Sequence, residues 1–208
     1  MDARTCPSCG HALETLVACG ECGALLQVPE DATPFELLGL APSQVLDERD
    51  LRKRLTRFTR LCHPDFHSAD GGDEGRALAE RNTARLNEAY ETLAKPARRA
   101  DWLVRQLGGP DERQEGQMPK AFLLEVLDWN ETLEGAREGS VAAPQLEALE
   151  ADLSERRAEA HRELERLLTP LPNTADDALS AARRLLNAIR YLDRALGELG
   201  SLRLARAE

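Results

Sequence analysis

Residues 51–65 read LRKRLTRFTRLCHPD, and this stretch organises the chain around it. At about 100° per residue, a helix would place the apolar residues on one stripe: Leu51, Leu55, Phe58 and Cys62. The basic residues, one of them from the preceding turn, gather on the opposite side as a basic stripe: Arg49, Lys53, Arg57 and Arg60. The apolar stripe can bury against a neighbouring helix, which leaves the basic stripe free to contact something acidic.

The basic helix is expected to end at the tripeptide His63-Pro64-Asp65. Proline cannot continue a helix, and it biases the residue before it toward extended geometry. The sequence therefore predicts that His63 and Asp65 lie in an exposed loop beside the basic stripe. A polar, Gly-rich loop is predicted to continue through Gly75, with the next helix beginning near Arg76. An enzymatic pair of His63 and Asp65 is disfavoured, because no nucleophile, third polar group or pocket is indicated nearby.

Two further helices are predicted around this stretch. Thr33 as N-cap, Pro34 in the first turn and Glu36 closing a capping box mark the start of a short helix. Asp47 caps the basic helix that follows. A third helix, expected to end at Gly108, carries apolar residues at helical spacing: Leu86, Ala89, Tyr90 and Leu93. The two long helices are predicted to be antiparallel, with the loop at their tip.

Four of the five cysteines form two CxxC pairs: Cys6 with Cys9, and Cys19 with Cys22. A glycine follows each pair and lets the backbone turn so that amides can face the thiolates. Four thiolates suit a closed, structural zinc site without an open position for substrate. The alternative, disulfides or free thiols, would need an oxidising setting. A module of about thirty residues buries little core, so zinc should supply most of its folding energy.

Charge and composition narrow the classes of function. The formal net charge is −10, and Arg4 is the only Lys or Arg in residues 1–30. Because phosphate neutralisation needs cations, nucleic acid is not expected as a partner. No window approaches about 18 apolar residues, and neither an apolar signal segment nor an Arg-rich leader follows Met1, which predicts a cytoplasmic protein without a membrane helix. Few aromatic residues and helical spacing throughout favour the all-α class.

The C-terminal half predicts a helical bundle. After a polar linker at residues 108–118, helices are expected over about residues 119–138, 144–168 and 174–199, the last capped by Thr174. The second helix has one apolar stripe: Leu146, Leu149, Leu153, Ala160, Leu164 and Leu167. The third has another: Ala178, Ala182, Leu185, Ile189, Leu192 and Leu196. Such seams suit an antiparallel three-helix bundle.

The first helix of this bundle has two apolar faces. Its core stripe is Phe122, Val126, Trp129 and Leu133. An outer patch combines three leucines of the opposite face with two bordering acidic residues and a tyrosine that points off the stripe of the last helix: Leu123, Leu124, Leu127, Asp128, Glu131 and Tyr191. The outer patch packs on the preceding helical domain, brings extra core, or stays exposed. An exposed apolar patch with an acidic rim marks a protein-binding surface.

Three segments resemble the landmarks of a J domain: PFELLGL at residues 34–40, HPD at residues 63–65 and LNEAYETL at residues 86–93. J domains are co-chaperones that stimulate DnaK-type heat-shock ATPases. The resemblance implies that contact with such an ATPase rests on His63, Pro64 and Asp65, and that the basic stripe docks on an acidic surface of the ATPase. Phe66 stands where the family often has a basic residue, so one peripheral contact is not expected.

Three more segments carry a closer resemblance: KPARRADWL at residues 95–103, AFLLE at residues 121–125 and IRYLDR at residues 189–194. They are similar to HscB, the specialised J-protein of iron–sulfur cluster assembly, and the similarity spans residues 33–200. The zinc module is similar to the N-terminal extension of mitochondrial and some bacterial HscB-like proteins. The resemblance implies that the bundle binds the scaffold protein IscU through the outer patch and presents it to the chaperone HscA. Gly135 replaces a further acidic residue of the family.

The sequence is therefore interpreted as a non-enzymatic, HscB-type co-chaperone. Its expected parts are a zinc module at residues 1–30, a J domain at 31–107, a linker at 108–118 and a scaffold-binding bundle at 119–208. A general J-protein with other clients is the nearest alternative, although the chain lacks a Gly/Phe-rich linker and a repeated CxxCxGxG domain. A zinc-ribbon regulator that binds nucleic acid is a more distant one. Weak self-association stays open.

Overall fold

The structure, a computed structural model, describes three stretches of the chain: residues 4–116, 118–173 and 177–207. Residues 66–71 and 206–207 are described by their backbone alone. The helices are α1 Pro34–Leu37, α2 Glu48–Leu61, α3 Pro64–Leu93, α4 Pro96–Gln106, α5 Lys120–Arg137, α6 Ala143–Leu167 and α7 Asp177–Ala207. Over the described stretches the chain forms isolated bridges but no strand, which confirms the all-α prediction. None of these helices is long and apolar enough to cross a membrane.

The predicted helix caps of α1 and α2 are confirmed. The Glu36 amide donates to Thr33 Oγ1 at 3.2 Å, and the Thr33 amide donates to the Glu36 carboxylate at 2.9 Å, which completes the capping box. Asp47 accepts from the amides of Arg49 and Asp50 at 2.8 and 3.2 Å. Each cap satisfies amides that have no partner within the helix, so the local sequence fixes where both helices begin.

The start of α3 differs from the prediction. The helix begins at Pro64, so the prediction of a loop through Gly75 and a helix start near Arg76 was wrong. His63 is the N-cap in extended geometry, and Pro64 takes the first helical position, where its missing N–H costs no intrahelical bond. Gly72 interrupts the element with a φ of 56°, in the left-handed region that glycine adopts readily. The tripeptide therefore lies at a helix start.

A second difference is the break before α4. The prediction ran the third helix on to Gly108, whereas α3 ends at Leu93 and α4 begins at Pro96. Proline favours the first turn of a helix and disfavours helical geometry in the residue before it. The chain also divides nearby into two compact units, Met1–Arg99 and Ala100–Glu208, so the boundary between them falls within α4.

In the first unit, α1 and α2 both pack on α3. The largest fully buried side chains there are apolar: Phe35, Leu38, Leu51, Phe58, Leu86 and Leu93. Cys62 is also fully buried, as predicted, while Leu55 is half-buried. Burial of the apolar stripe of α2 turns the opposite side of that helix toward solvent.

In the second unit, α5 and α6 pack on α7. Their shared core includes Trp129, Leu133, Leu146, Leu153, Leu192 and Leu199. Both predicted seams are confirmed, since their central members are buried: Leu146, Leu153, Ala160 and Leu164 on α6, and Ala182, Ile189 and Leu192 on α7. The other predicted members are partly buried. The predicted cap Thr174 lies outside the described residues, and α7 begins at Asp177.

The segment between α4 and α5 is held on α7. The buried Arg183 pairs with Asp101 of α4, and its Nε donates to the Pro110 carbonyl at 2.8 Å. The amide of Asn187, also buried, donates to the Glu115 carbonyl at 2.7 Å. These bonds offset much of the cost of burying polar side chains. The predicted linker is therefore fixed against the bundle along this part.

We expect Leu153→Ala to lower the free energy of unfolding of the second unit by about 2–5 kcal/mol, because Leu153 is fully buried and its truncation leaves a cavity. Leu124→Ala is the matched control. Its side chain is 62% exposed, so the change should stay within about 0.5 kcal/mol. Urea unfolding followed by helical circular dichroism measures both values. Equal destabilisation by the two variants would contradict the assignment of core and surface.

Candidate functional site

The four predicted metal ligands converge on one point. Cys6, Cys9, Cys19 and Cys22 place their sulfur atoms within 4.8 Å of one another. The Sγ atoms of Cys6 and Cys22 are 3.7 Å apart, and those of Cys9 and Cys19 are 3.6 Å apart. A tetrahedral site with metal–sulfur bonds of about 2.3 Å has edges of about 3.8 Å. The four sulfur atoms therefore fit one tetrahedrally bound metal ion.

Two similar backbone turns hold these cysteines. The Gly10 amide donates to the Cys6 carbonyl at 2.8 Å, and the Gly23 amide donates to the Cys19 carbonyl at 3.0 Å. Both glycines have positive φ, 76° and 73°, which explains why glycine follows each CxxC pair. Cys6 and Cys19 are buried while Cys9 and Cys22 are exposed. The site is thus formed by two equivalent knuckles that each supply one inner and one outer thiol.

The thiols of this cluster do not titrate alike. Burial raises the pKa of Cys6, but hydrogen bonds from the backbone amides of Ser8 and Cys9 outweigh it and bring the pKa down to about 6. The His11 amide lowers the pKa of Cys9, yet burial and the neighbouring sulfur atoms together raise it to about 12. Several thiolates in so small a space need a cation to compensate their charge. The donor set therefore suits a metal ion.

The fifth cysteine, Cys62, takes no part in this cluster. It is fully buried on the apolar stripe of α2, and its Sγ donates to the Phe58 carbonyl at 2.9 Å. Burial raises the pKa of the Cys62 thiol to about 11. Cys62 is therefore a core residue, as its place on the apolar stripe predicted, and its thiol is disfavoured as a nucleophile or metal ligand because both roles need the thiolate.

The basic stripe lies on the exposed face of α2, where the structure brings all four of its residues together. Arg52, which the sequence analysis did not name, lines the same face with Thr56 and Leu61. It follows Arg49 by three residues, so helical spacing could have identified it. The guanidinium of Arg57 lies over the ring of Phe58 at 5.2 Å and pairs with Glu14 of the N-terminal segment. The face is therefore strongly cationic, although Arg57 already has an acidic partner within the chain.

The tripeptide is ordered at the start of α3. The Asp65 amide donates to Nδ1 of His63 at 3.3 Å, and the Asp65 carboxylate lies 3.6 Å from the same nitrogen. The side chains of His63 and Asp65 are 49% and 86% exposed, so a partner can reach both. Asp65 occupies the first helical turn, where a negative charge suits the positive end of the helix. The three residues thus form a small, preorganised polar surface beside the end of α2.

The outer patch is exposed in the second unit. Leu123, Leu124, Leu127 and Tyr191 are 40%, 62%, 56% and 39% exposed. Asp128 and Glu131 are exposed beside them. The Tyr191 ring meets Phe122 edge-on with centroids 5.7 Å apart, and Phe122 meets Trp129 in the same way at 5.8 Å. Phe122 therefore holds the Tyr191 ring in place, and the three leucines of α5 face solvent.

Gly135 lies one turn beyond the acidic rim of the outer patch. A Cβ at this position would come within 2.9 Å of both Ser140 Oγ and Val141 Cγ2. Ser140 in turn donates to the Gly135 carbonyl at 2.9 Å. The turn between α5 and α6 thus packs directly over this glycine, which explains why no acidic side chain extends the rim here.

Known proteins resemble the chain in sequence. Residues 118–200 match the family described as HSCB C-terminal oligomerisation domain. The co-chaperone protein HscB homolog of Burkholderia multivorans is 36% identical over 169 residues, which cover 80% of this chain and 91% of that protein. The protein of the same name from Shewanella baltica is 32% identical over 150 residues, covering 71% and 84%.

Solved structures resemble the chain in fold. The crystal structure of human co-chaperone protein HscB has a TM-score of 0.78 at 22% identity and covers 97% of this chain and 100% of its own. The chaperone HscB from Vibrio cholerae has a TM-score of 0.68 at 24% identity, covering 83% of this chain and 98% of its own. The fold described above is therefore shared by both.

We expect the purified chain to hold one metal ion, measured by elemental analysis after extensive dialysis. Cys19→Ser should remove most of that ion, because it replaces a buried thiolate of the cluster with a poor ligand. Cys62→Ser is the matched control and should keep the full metal content, since Cys62 is buried elsewhere. Full metal content in Cys19→Ser, or its loss in Cys62→Ser, would contradict the assignment.

Proposed function

The chain belongs to the HscB co-chaperone family, as its sequence segments indicated, and on that premise we propose that it brings a scaffold protein of iron–sulfur cluster assembly to a chaperone. The scaffold is of the IscU type. The chaperone is a DnaK/HscA-type ATPase, whose hydrolysis the chain stimulates. The observation that carries the proposal is the exposure of the outer patch, because a fold without a client would gain stability by burying those leucines.

The basic stripe and the tripeptide support contact with the chaperone. The exposed cations on one face of α2 form a field that attracts an acidic surface and speeds association. His63 and Asp65 lie directly after this helix and are reachable from solvent. ATP hydrolysis belongs to the partner, and the residues of this chain act on it by contact alone.

The outer patch supports contact with the scaffold. Full burial of an exposed leucine contributes about 1.5–3 kcal/mol, and these three leucines, which are 40–62% exposed, would contribute part of that each as the apolar centre of an interface. Asp128 and Glu131 favour a partner whose apolar contact is flanked by basic residues. Tyr191 is already held by Phe122, so its ring loses little freedom on binding. The expected client contact is therefore apolar at its centre and basic at its edge.

Carrying both surfaces on one chain is itself part of the function. A scaffold held by the second unit is tethered to whatever the first unit binds. Tethering replaces a second bimolecular encounter with an intramolecular one at a raised effective concentration. The chaperone thus receives the scaffold in preference to unattached proteins.

We assign zinc to the four-cysteine site. Four thiolates at tetrahedral spacing leave no position open for a substrate, which suits a structural ion. When bound, zinc supplies folding energy that residues 4–30 cannot obtain from so small a core. Cys6, Cys9, Cys19 and Cys22 would hold it, and their backbone turns orient the sulfur atoms.

We expect His63→Gln to abolish stimulation of a DnaK/HscA-type ATPase, because the tripeptide surface loses its imidazole. The His63 side chain is half exposed, so the substitution should leave the fold intact. Scaffold binding should be unchanged, since the outer patch belongs to the other unit. Steady-state phosphate release and calorimetric scaffold binding test the two claims. Stimulation equal to that of the wild type would contradict the proposed chaperone contact.

We expect Leu123→Ala with Leu127→Ala to weaken IscU binding about 100-fold or more, because two apolar anchors are lost. Leu204→Ala is the control: it removes a 72% exposed leucine of the same unit and should leave the affinity unchanged. Calorimetry gives the dissociation constants. The double variant should still stimulate the ATPase without scaffold. Unchanged scaffold affinity would rule out the outer patch as the client surface.

A further inference from the structure

Asn82 connects α3 to the metal module, which we define as residues 4–30. Its side chain is 2% exposed. Its Nδ2 donates to the carbonyls of Val17 and Leu26, at 2.8 and 3.0 Å. The Leu26 amide donates to the same Val17 carbonyl at 3.0 Å. One side chain of the helical hairpin therefore closes over the two backbone segments that enter and leave the second cysteine knuckle.

The same part of α3 reaches the residue before the tripeptide. Thr83, the neighbour of Asn82, approaches the Cys62 carbonyl with its hydroxyl at 3.5 Å. Cys62 is fully buried and immediately precedes His63. Ala79 and Leu86, which lie on either side of Asn82 along the helix, are also fully buried. The Asn82 contact therefore lies close to the residue that precedes the tripeptide, on the same part of α3 that contacts it.

The Asn82 contact stabilises the metal module and α3 together. If the metal module unfolds, the carbonyls of Val17 and Leu26 leave, and the Asn82 amide exchanges both hydrogen bonds for hydrogen bonds to water. A buried intramolecular hydrogen bond makes a modest net contribution to stability over the bond to water that it replaces, so the folded module and α3 stabilise each other through this pair of bonds. A module of this size depends on its metal for folding. Loss of the metal therefore removes the stabilisation that α3 gains from the two hydrogen bonds of Asn82.

From these contacts we infer that Asn82 is a positioning residue that couples metal retention in the cysteine module to the stability of the α2–α3 hairpin. Such a coupling is reciprocal: the metal stabilises the hairpin, and the hairpin tightens the metal site by the same factor. The coupling itself needs no partner. Its consequence, that metal loss weakens presentation of the tripeptide to a chaperone, rests on the proposed function.

The first arm of the test measures zinc affinity of the full chain by competition with a chromophoric chelator. Asn82→Leu keeps the side-chain volume but has no donor, and it should weaken Zn²⁺ binding about tenfold or more, as expected for two buried hydrogen bonds. Asn87→Ala is the control, because Asn87 is an exposed asparagine of the same helix. Zinc affinity in Asn82→Leu equal to that of the wild type would overturn the inference.

The second arm measures amide hydrogen exchange of the wild-type chain with and without Zn²⁺. Removal of the metal should raise exchange of α2 and of residues 79–93 about tenfold or more, while α6 in the other unit stays unchanged. In Asn82→Leu this difference should shrink. The inference would be overturned if removal of Zn²⁺ raised amide exchange in the metal module but left amide exchange in α2 and α3 unchanged. The wild-type comparison decides the matter even if the variant fails to fold.

Neither arm contains a chaperone or a scaffold, so their outcome is independent of the proposed function. A hairpin that responds to the metal in a chain that stimulates no ATPase would support the coupling and refute the function. If the chain stimulated the ATPase but amide exchange of the hairpin did not respond to the metal, the function would be supported and the coupling refuted.

Discussion

The burial of one side of α2 against α3 is the constraint on which the first unit depends. Leu51, Phe58 and Cys62 are withdrawn from water together, and this fixes the rotation of the helix about its axis. Rotation in turn decides that the arginines face outward and that the chain leaves the helix at His63 in a defined direction. The cationic surface is therefore a consequence of apolar packing, and any substitution that rotates α2 would move every charge on it.

The second unit is governed by a conflict of the same kind. Helix α5 carries leucines on two faces, and a three-helix bundle can cover only one of them. Trp129 and Leu133 lie in the core because they pack against α6 and α7, whereas Leu124 stays at the surface. Surplus apolar residues on an otherwise well-packed helix lower solubility without raising stability. The scaffold contact proposed above would account for their presence.

How much the sequence could predict depends on the range of each interaction. The caps at Thr33 and Asp47 and the two faces of α5 follow from residues within a few turns, and the structure has them as predicted. Pro64 was read as the end of one helix, although the same chemistry equally starts another. The buried hydrogen bonds of Asn82 and Arg183 could not be predicted, because their partners lie far away in sequence. A single buried polar residue also forms no periodic pattern that would reveal its burial.

The metal module and the basic stripe also influence each other through charge. Glu14 pairs with Arg57, so the module removes part of the positive field that α2 presents. Both side chains are more than half exposed, and exposed ion pairs of this kind contribute at most about 1 kcal/mol. An acidic partner that offers several carboxylates can therefore displace Glu14 at small cost. In the proposed complex with the chaperone, Glu14 would thus be a weak internal competitor of the partner's carboxylates for Arg57.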